Sequence, residues 1–564
     1  MMAVLALIVG LAGGFGAVGF RHLINFFQNI FYGSDGNLLE IIPLIPWFQW
    51  IWLPALGGLI VGPMVYFLAR EAKGHGVPEV MEAVALKGGR IRKRIVAIKS
   101  LASAICIGTG GSVGREGPIV QIGSAIGSTI GQALKVSADR MRTLAGCGAA
   151  AGVAATFNAP IAGSMFALEI ILGDFGLATF SPIVISSVTA TAVSRHFLGD
   201  TPAFIVPAYE LISVWEFPLY VVLGGLCALT GRAFIALLYR VEDIFEALKF
   251  PDYLKAFVGG MILGMIGFFF PHVLGVGYGA IDLSLTQMIS WWLMLLLIVL
   301  KMLSTSITIG SGGSGGIFAP SLFIGAMAGG FFGSMVHTAF PDLTASPGAY
   351  SIVGMGAVVS ATTHGPLTAI LMLFEMTGDY KIILPLMITC IISSTAIRQL
   401  STESIYTLKL TRKGINIKAG KEVNILKSIV VKDVMNVEPE TVPEGFGMRN
   451  LADKISKSKN NSFPVVNDQK EITGVLSFLD YHDAVFDEYL RDLVVVKDLA
   501  TSHVVTVSID DNLYNALEKI SIHDFSFLPV VSGNDNAKLL GILTRRDIIG
   551  AYNKALIKKS LFNK

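Results

Sequence analysis

Apolar runs such as FPLYVVLGGLCALTGRAFIALLY (217–239) and WWLMLLLIVLKML (291–303) leave this chain few ways to fold. A bilayer offers no water to backbone N–H and C=O groups, so only helices and closed barrels cross it. A spanning helix needs about 20 mainly apolar residues. Runs of this kind recur from residue 3 to residue 408, whereas 411–564 has the mixed composition of a soluble domain. The whole chain is 53% hydrophobic and 15% charged, against about a quarter charged in soluble proteins. The expectation is a multi-pass α-helical membrane protein with a soluble α/β tail.

The N-terminal MMAVLALIVGLAGGFGAVGF lacks a basic leader and runs on as a helix, so it reads as a first membrane helix and not as a cleaved signal. Lys87, Arg90, Arg92, Lys93, Arg94 and Lys99 form a basic cluster between apolar segments. Such a cluster reads as a cytoplasmic loop that sets topology. Cys106, Cys147, Cys227 and Cys390 are scattered through apolar segments with no CxxC, and read as buried hydrophobes. A net charge of +2 gives no reason to expect nucleic acid.

Within the apolar part, three motifs occur twice in the same order. GHGVPE (74–79) matches GYGAID (277–282), GGSVGREGP (110–118) matches GGSGGIFAP (312–320), and PIAGSMFALE (160–169) matches PLTAILMLFE (366–375). Three collinear matches about 200 residues apart indicate duplicated halves, about 1–200 and 210–410. Paired Gly/Pro interruptions in the two halves of a transporter point to its binding site. A helix that starts inside the membrane presents free N–H groups and a positive dipole end. Several such ends converging make an anion site without a full positive charge.

The tail repeats too. VKDVM (431–435), FPVV (463–466) and GVLSFLD (474–480) return as VKDLA (496–500), LPVV (528–531) and GILTRRD (541–547). This resembles a tandem pair of CBS domains, over 430–490 and 491–554, with a linker at 411–429 and a tail at 555–564. The resemblance implies an adenine-nucleotide cleft (ATP, ADP or AMP) at Ser477, Asp480, Thr544, Arg545 and Asp547. The same Ser/Thr and Asp residues also suit plain helix capping.

GxGxPE, GREGP, GGIFAP and the tyrosine of ESIYT together resemble the CLC family of chloride channels and chloride/proton exchangers, over residues 1–410. The resemblance implies a homodimer with one anion pore per subunit, in which Glu116 is the gate. His75, Gly76, Arg115, Gly117, the backbone of Ile317 and Phe318, and Tyr406 would line the anion path. Two departures bear on function. His75 stands where the family usually has serine, which leaves selectivity open. Glu169 and Ile170 stand where exchangers carry two successive glutamates, and isoleucine cannot carry a proton. A channel-like pore is therefore expected, with proton-coupled exchange as the alternative. No cofactor is required, and no enzymatic activity is expected.

Two other classes are weaker. The pattern GxSxG occurs at 110–114 and 312–316, and His364 lies on an apolar segment, as an intramembrane serine hydrolase would need. The motif is duplicated, however, and the first half has Asn158 where the second has His364. A cation transporter needs acidic or carbonyl rings, and the membrane acids here sit in helix-start motifs.

Overall fold

The computed structural model describes the chain except residues 201–203, 205–210, 416–425, 427–428, 459, 487–491, 524, 533–534 and 562–564. Most of the expected linker, the junction of the two tail modules and the last three residues therefore lie outside the described residues. The chain forms two units, Met1–Ile417 and Lys418–Lys564.

The first unit is all helix, and its helices come in two matched series. The first half runs α1 (Met2–Tyr32), α2 (Trp47–Leu68), α3 (Val77–Leu86), α4 (Arg94–Gly108), α5 (Glu116–Ala133), α6 (Ala138–Phe157), α7 (Pro160–Met165, continued by a π turn to Leu172) and α8 (Leu177–Leu198). The second runs α9 (Glu216–Ala247), α10 (Asp252–Phe269), α11 (Tyr278–Leu285), α12 (Trp291–Gly310), α13 (Phe318–Ala339), α14 (Pro347–Thr363), α15 (Pro366–Thr377) and α16 (Ile383–Leu400), followed by α17 (Thr407–Arg412). Among the described residues, eight helices are long and apolar enough to cross a membrane. The short members of each series, α3 with α11 and α7 with α15, carry two of the three repeated motifs, and the third leads into α5 and α13.

Glycine sets the tightest crossings, and it does so twice. A Cβ on Gly123 of α5 would strike the carbonyl of Gly148 on α6, and one on Gly148 would strike that of Gly123. Gly325 of α13 and Gly354 of α14 block each other in the same way. With no hydrophobic drive between helices in lipid, such close backbone approach is what packs them. Corresponding helices also meet each other. Gly58 and Gly62 of α2 press on Ala256 and Tyr253 of α10, while Gly260 and Gly264 of α10 press on Pro54 and Ile51 of α2. Contacts that repeat with the halves exchanged are what a twofold relation between the halves requires.

The second unit holds two three-stranded sheets. β1 (Val442–Pro443) pairs parallel with β2 (Ser462–Val466), which pairs antiparallel with β3 (Ile472–Ser477). β4 (Val507–Ser508), β5 (Phe527–Ser532) and β6 (Asp535–Thr544) repeat the pattern. Pro464 opposes Val475 as Pro529 opposes Ile542. The cores do not follow chain order. Val431 packs with Val507, Leu528 and Leu543, while Val496 packs with Val442, Phe463 and Leu476. Each VKD segment thus completes the core of the other module.

Candidate anion pathway

Three loops meet at the centre of the first unit. The first is 74–76, where Gly74 (φ +78°) and Gly76 (φ +83°) take the left-handed turn that opens α3. The second is 110–115, leading into α5, and the third is 312–317, leading into α13. Gly114 and Gly316 exchange two backbone hydrogen bonds, at 2.7 and 2.6 Å. The N–H of Gly74 donates to the carbonyl of Gly313 at 3.1 Å, and that of Gly315 donates to Gly74 at 3.4 Å. A Cβ on Gly117 would strike the His75 carbonyl. The starts of α3, α5 and α13 are thereby held together, with their unsatisfied N–H groups and positive dipole ends close in space.

The Glu116 carboxylate lies in this cluster, 3% exposed. Its Oε2 accepts from the backbone N–H of Ala319, in the first turn of α13, at 3.4 Å. Its Oε1 accepts from the Tyr278 hydroxyl at 3.1 Å. The Arg115 guanidinium sits over the Tyr278 ring, 5.3 Å from its centre. The chain's own carboxylate thus occupies the N-terminus of a helix from the other half. Ile317 and Phe318 are buried at the same helix start, but the amide that reaches the carboxylate belongs to Ala319, one residue beyond the pair singled out from sequence.

On the other flank, the rings of His75 and Tyr406 lie 5.8 Å apart. Both residues are buried, at 2% and 1% exposure. The His75 Nδ1 has no hydrogen-bond partner among the described residues. Tyr406 is the N-cap residue of α17, and its backbone N–H donates to Ser404 Oγ at 3.3 Å.

Several sequence expectations need correction or relocation. Lys99 is no loop residue: it sits on α4, fully buried, and its Nζ donates to the carbonyls of Ala72 at 3.0 Å and Gly74 at 2.7 Å. Lys301 on α12 does the same for Val273 and Gly275, both at 3.0 Å. Each half therefore ties down the backbone ahead of its GxG loop with one buried ammonium. Composition alone suggested a solvated basic loop, and the clue overlooked was that both lysines fall at matching places in the repeat. Glu79, at the start of α3, pairs with Lys409 of α17 at 2.8 Å, which joins that loop to the helix after Tyr406.

Glu169 meets the start of α15. Its carboxylate accepts from the N–H groups of Leu367 (3.2 Å) and Thr368 (2.7 Å) and from the Thr368 hydroxyl (2.7 Å), at the start of α15. Glu375 accepts in turn from Ile161 (3.0 Å) and Ala162 (2.7 Å) at the start of α7. Each half caps a helix of the other. The neighbouring Ile170 is buried, and a Cβ on Gly365 would come within 3.0 Å of its Cδ1.

Among the described residues, neither GxSxG serine hydroxyl bonds a histidine. The Ser112 hydroxyl meets Thr305 at 3.4 Å, and that of Ser314 meets Ser103 at 2.9 Å and donates to Ala72 at 2.9 Å. Both serines are fully buried in the seam between halves. His364 is the left-handed C-cap of α14, and Asn158 caps α6 in the same way. In the tail, Asp480 accepts from the backbone and hydroxyl of Ser477, both at 2.7 Å. Asp547 accepts from those of Thr544 at 2.9 and 2.6 Å. These are caps of the helices Phe478–Phe486 and Arg545–Leu561, and Arg545 opens the second.

Residues 57–398 match the voltage gated chloride channel family. The chain belongs to that family. Residues 431–487 and 496–554 each match the CBS domain. A ClcB-like chloride channel protein of Ralstonia nicotianae is 35% identical over 415 residues, which cover 73% of this chain and 97% of the relative. The voltage-gated ClC-type chloride channel ClcB of Escherichia coli O17:K52:H18 is 32% identical over 407 residues, covering 71% of this chain and 97% of that one. Among solved structures, a slow cyanobacterial Cl-/H+ antiporter superposes with a TM-score of 0.67 at 28% identity, covering 73% of this chain and 97% of that chain. A eukaryotic CLC transporter covers 97% of both chains with a TM-score of 0.63 at 18% identity, a likeness of fold. This CLC protein is thus a multi-pass membrane protein of a chloride-transporting family, and that family is one of channels and transporters, not enzymes.

Proposed function

We propose that this CLC protein conducts chloride passively, one pathway per subunit of a homodimer, with Glu116 as the gate. The observation that carries this reading is the Glu116 carboxylate on the first-turn amide of α13. A helix start that binds a fixed carboxylate also suits a free anion once that carboxylate moves or is protonated. The anion would pass between the loops at His75–Gly76, Arg115–Gly117 and Ile317–Phe318, with the Tyr406 hydroxyl and the His75 ring on the inner flank. A site built from amides, a phenol and an imidazole binds an anion and still lets it leave.

Channel-like conduction is favoured over proton exchange because Ile170 offers no proton acceptor. Glu169 is engaged by three donors at α15. The CBS pair is read as a cytoplasmic regulatory tail whose Ser477/Asp480 and Thr544/Arg545/Asp547 clusters suit ribose and phosphate contacts.

The test is chloride efflux from liposomes with external pH recorded at the same time. The expected result is chloride flux with no uphill proton movement, and constitutive flux insensitive to pH in Glu116→Gln. Proton pumping driven by a chloride gradient would establish the exchanger instead. Retained pH dependence in Glu116→Gln would remove Glu116 from the gate.

A further inference from the structure

We propose that Tyr278 is the positioning residue that latches Glu116 in the closed state. The inference rests on the reading of Glu116 as the gate. Tyr278 occupies the second-half place that His75 holds in the first: Gly277-Tyr278-Gly279 repeats Gly74-His75-Gly76. Duplication has thus put one polar ring on each side of the pathway. His75 lies beside Tyr406, and Tyr278 lies against Glu116.

The geometry around Tyr278 is fixed from several directions. Its hydroxyl donates to Glu116 Oε1 at 3.1 Å. The Arg115 guanidinium covers its ring at 5.3 Å, and the Phe204 ring meets it edge-on at 5.3 Å. Its backbone begins α11 after Gly277 (φ +93°), where a Cβ would come within 2.7 Å of Phe323. Lys301 holds the preceding turn through the carbonyls of Val273 and Gly275. The phenol therefore cannot drift from the carboxylate without moving a buried ammonium and a helix start.

The groups that face Glu116 are the Arg115 guanidinium, the Tyr278 and Tyr406 phenols and the backbone amide of Ala319, while the Arg21 guanidinium acts on Arg115 and Tyr278. Of these, Tyr278 is the side chain that hydrogen-bonds the carboxylate. A phenol O–H favours the charged carboxylate over its protonated form.

Tyr278→Phe keeps the ring and the Phe204 contact and removes the hydroxyl, with its bond to Glu116 and its interaction with Arg115. In Tyr278→Phe, chloride flux at neutral external pH is expected to rise about tenfold toward the Glu116→Gln level, the scale of one hydrogen bond to a charged group. The pH of half-maximal flux should move upward with the plateau unchanged. In the Glu116→Gln background the same substitution should change nothing further.

A wild-type pH profile in Tyr278→Phe would overturn the proposal. So would an equal change with and without Glu116, which would mark a purely structural effect. The two readings fail separately. Glu116→Gln that keeps its pH dependence sinks the gate itself, whereas a pH-insensitive Glu116→Gln beside an unaltered Tyr278→Phe sinks only the latch.

Discussion

At Gly117 the pathway leaves no room for a side chain. A Cβ there would strike the His75 carbonyl and come within 3.0 Å of the Gly316 Cα, both of them backbone atoms that cannot swing aside. Gly117→Ala should therefore push the three loops apart. Overpacking of this kind costs about 1–3 kcal/mol, which a thermal melt of the purified protein would register. Chloride flux should fall more steeply than stability, because the amides at the helix starts must converge within hydrogen-bond reach. A variant that melts early yet conducts normally would show that the loops do not need this spacing. His75 makes a different residue-scale prediction. Its Nδ1 lacks a protein partner, and its ring adjoins Tyr406. His75→Ser should alter the preference among chloride, nitrate and fluoride in reversal-potential measurements while leaving folding intact.

Helix capping decides the behaviour of whole elements here. α7 and α15 are short and begin with proline, and their first N–H groups need acceptors. Glu375 serves α7 and Glu169 serves α15. Glu169→Ala and Glu375→Ala should each lower stability by about 1 kcal/mol, the usual worth of a lost cap. The loss should be larger for Glu169, which also engages the Thr368 hydroxyl. Chemical denaturation of the two variants would rank them. If Glu169→Ala instead abolished a proton flux, the capping role would be the lesser one. In the tail, the matched caps Ser477–Asp480 and Thr544–Asp547 play the same part at the helices after β3 and β6. A bound nucleotide would have to share those oxygens with the helix starts.

For the molecule as a whole, duplication governs both units. In the tail it exchanges segments, since Val431 sits in the core of the second module although it opens the first. Val431→Ala should therefore loosen β5 and β6 and leave β2 and β3 protected, by about 1–3 kcal/mol for a truncated core residue. Hydrogen exchange resolved by strand would show this, and increased exchange confined to 462–477 would contradict it. In the membrane unit duplication produces reciprocal contacts: Ser112 with Thr305 and Ser314 with Ser103, Glu169 with α15 and Glu375 with α7. A site on such a seam is shared between halves, and the chemistry can differ on its two sides because the sequences have diverged there.

The sequence by itself determined the membrane class, the two halves, the paired tail modules and the Gly-rich loops that meet around Glu116. Hydropathy, Gly/Pro interruptions and repeated motifs are local properties that survive without coordinates. Glu116 stood out because a charge among helix breakers in an apolar run is costly without a role. Only the tertiary structure decided what the other charges do. Lys99 read as part of a basic loop, but it is buried on carbonyls of a turn 25 residues away. Glu169 read as the first of the paired positions that exchangers fill with glutamates, and folding shows that it caps a helix 199 residues on. Tyr278 carried no signal until folding laid it against Glu116 across 162 residues of chain. A charge buried in low dielectric takes its meaning from its partner, and for Glu116 and Glu169 that partner comes from the other half, at a separation no sequence window spans.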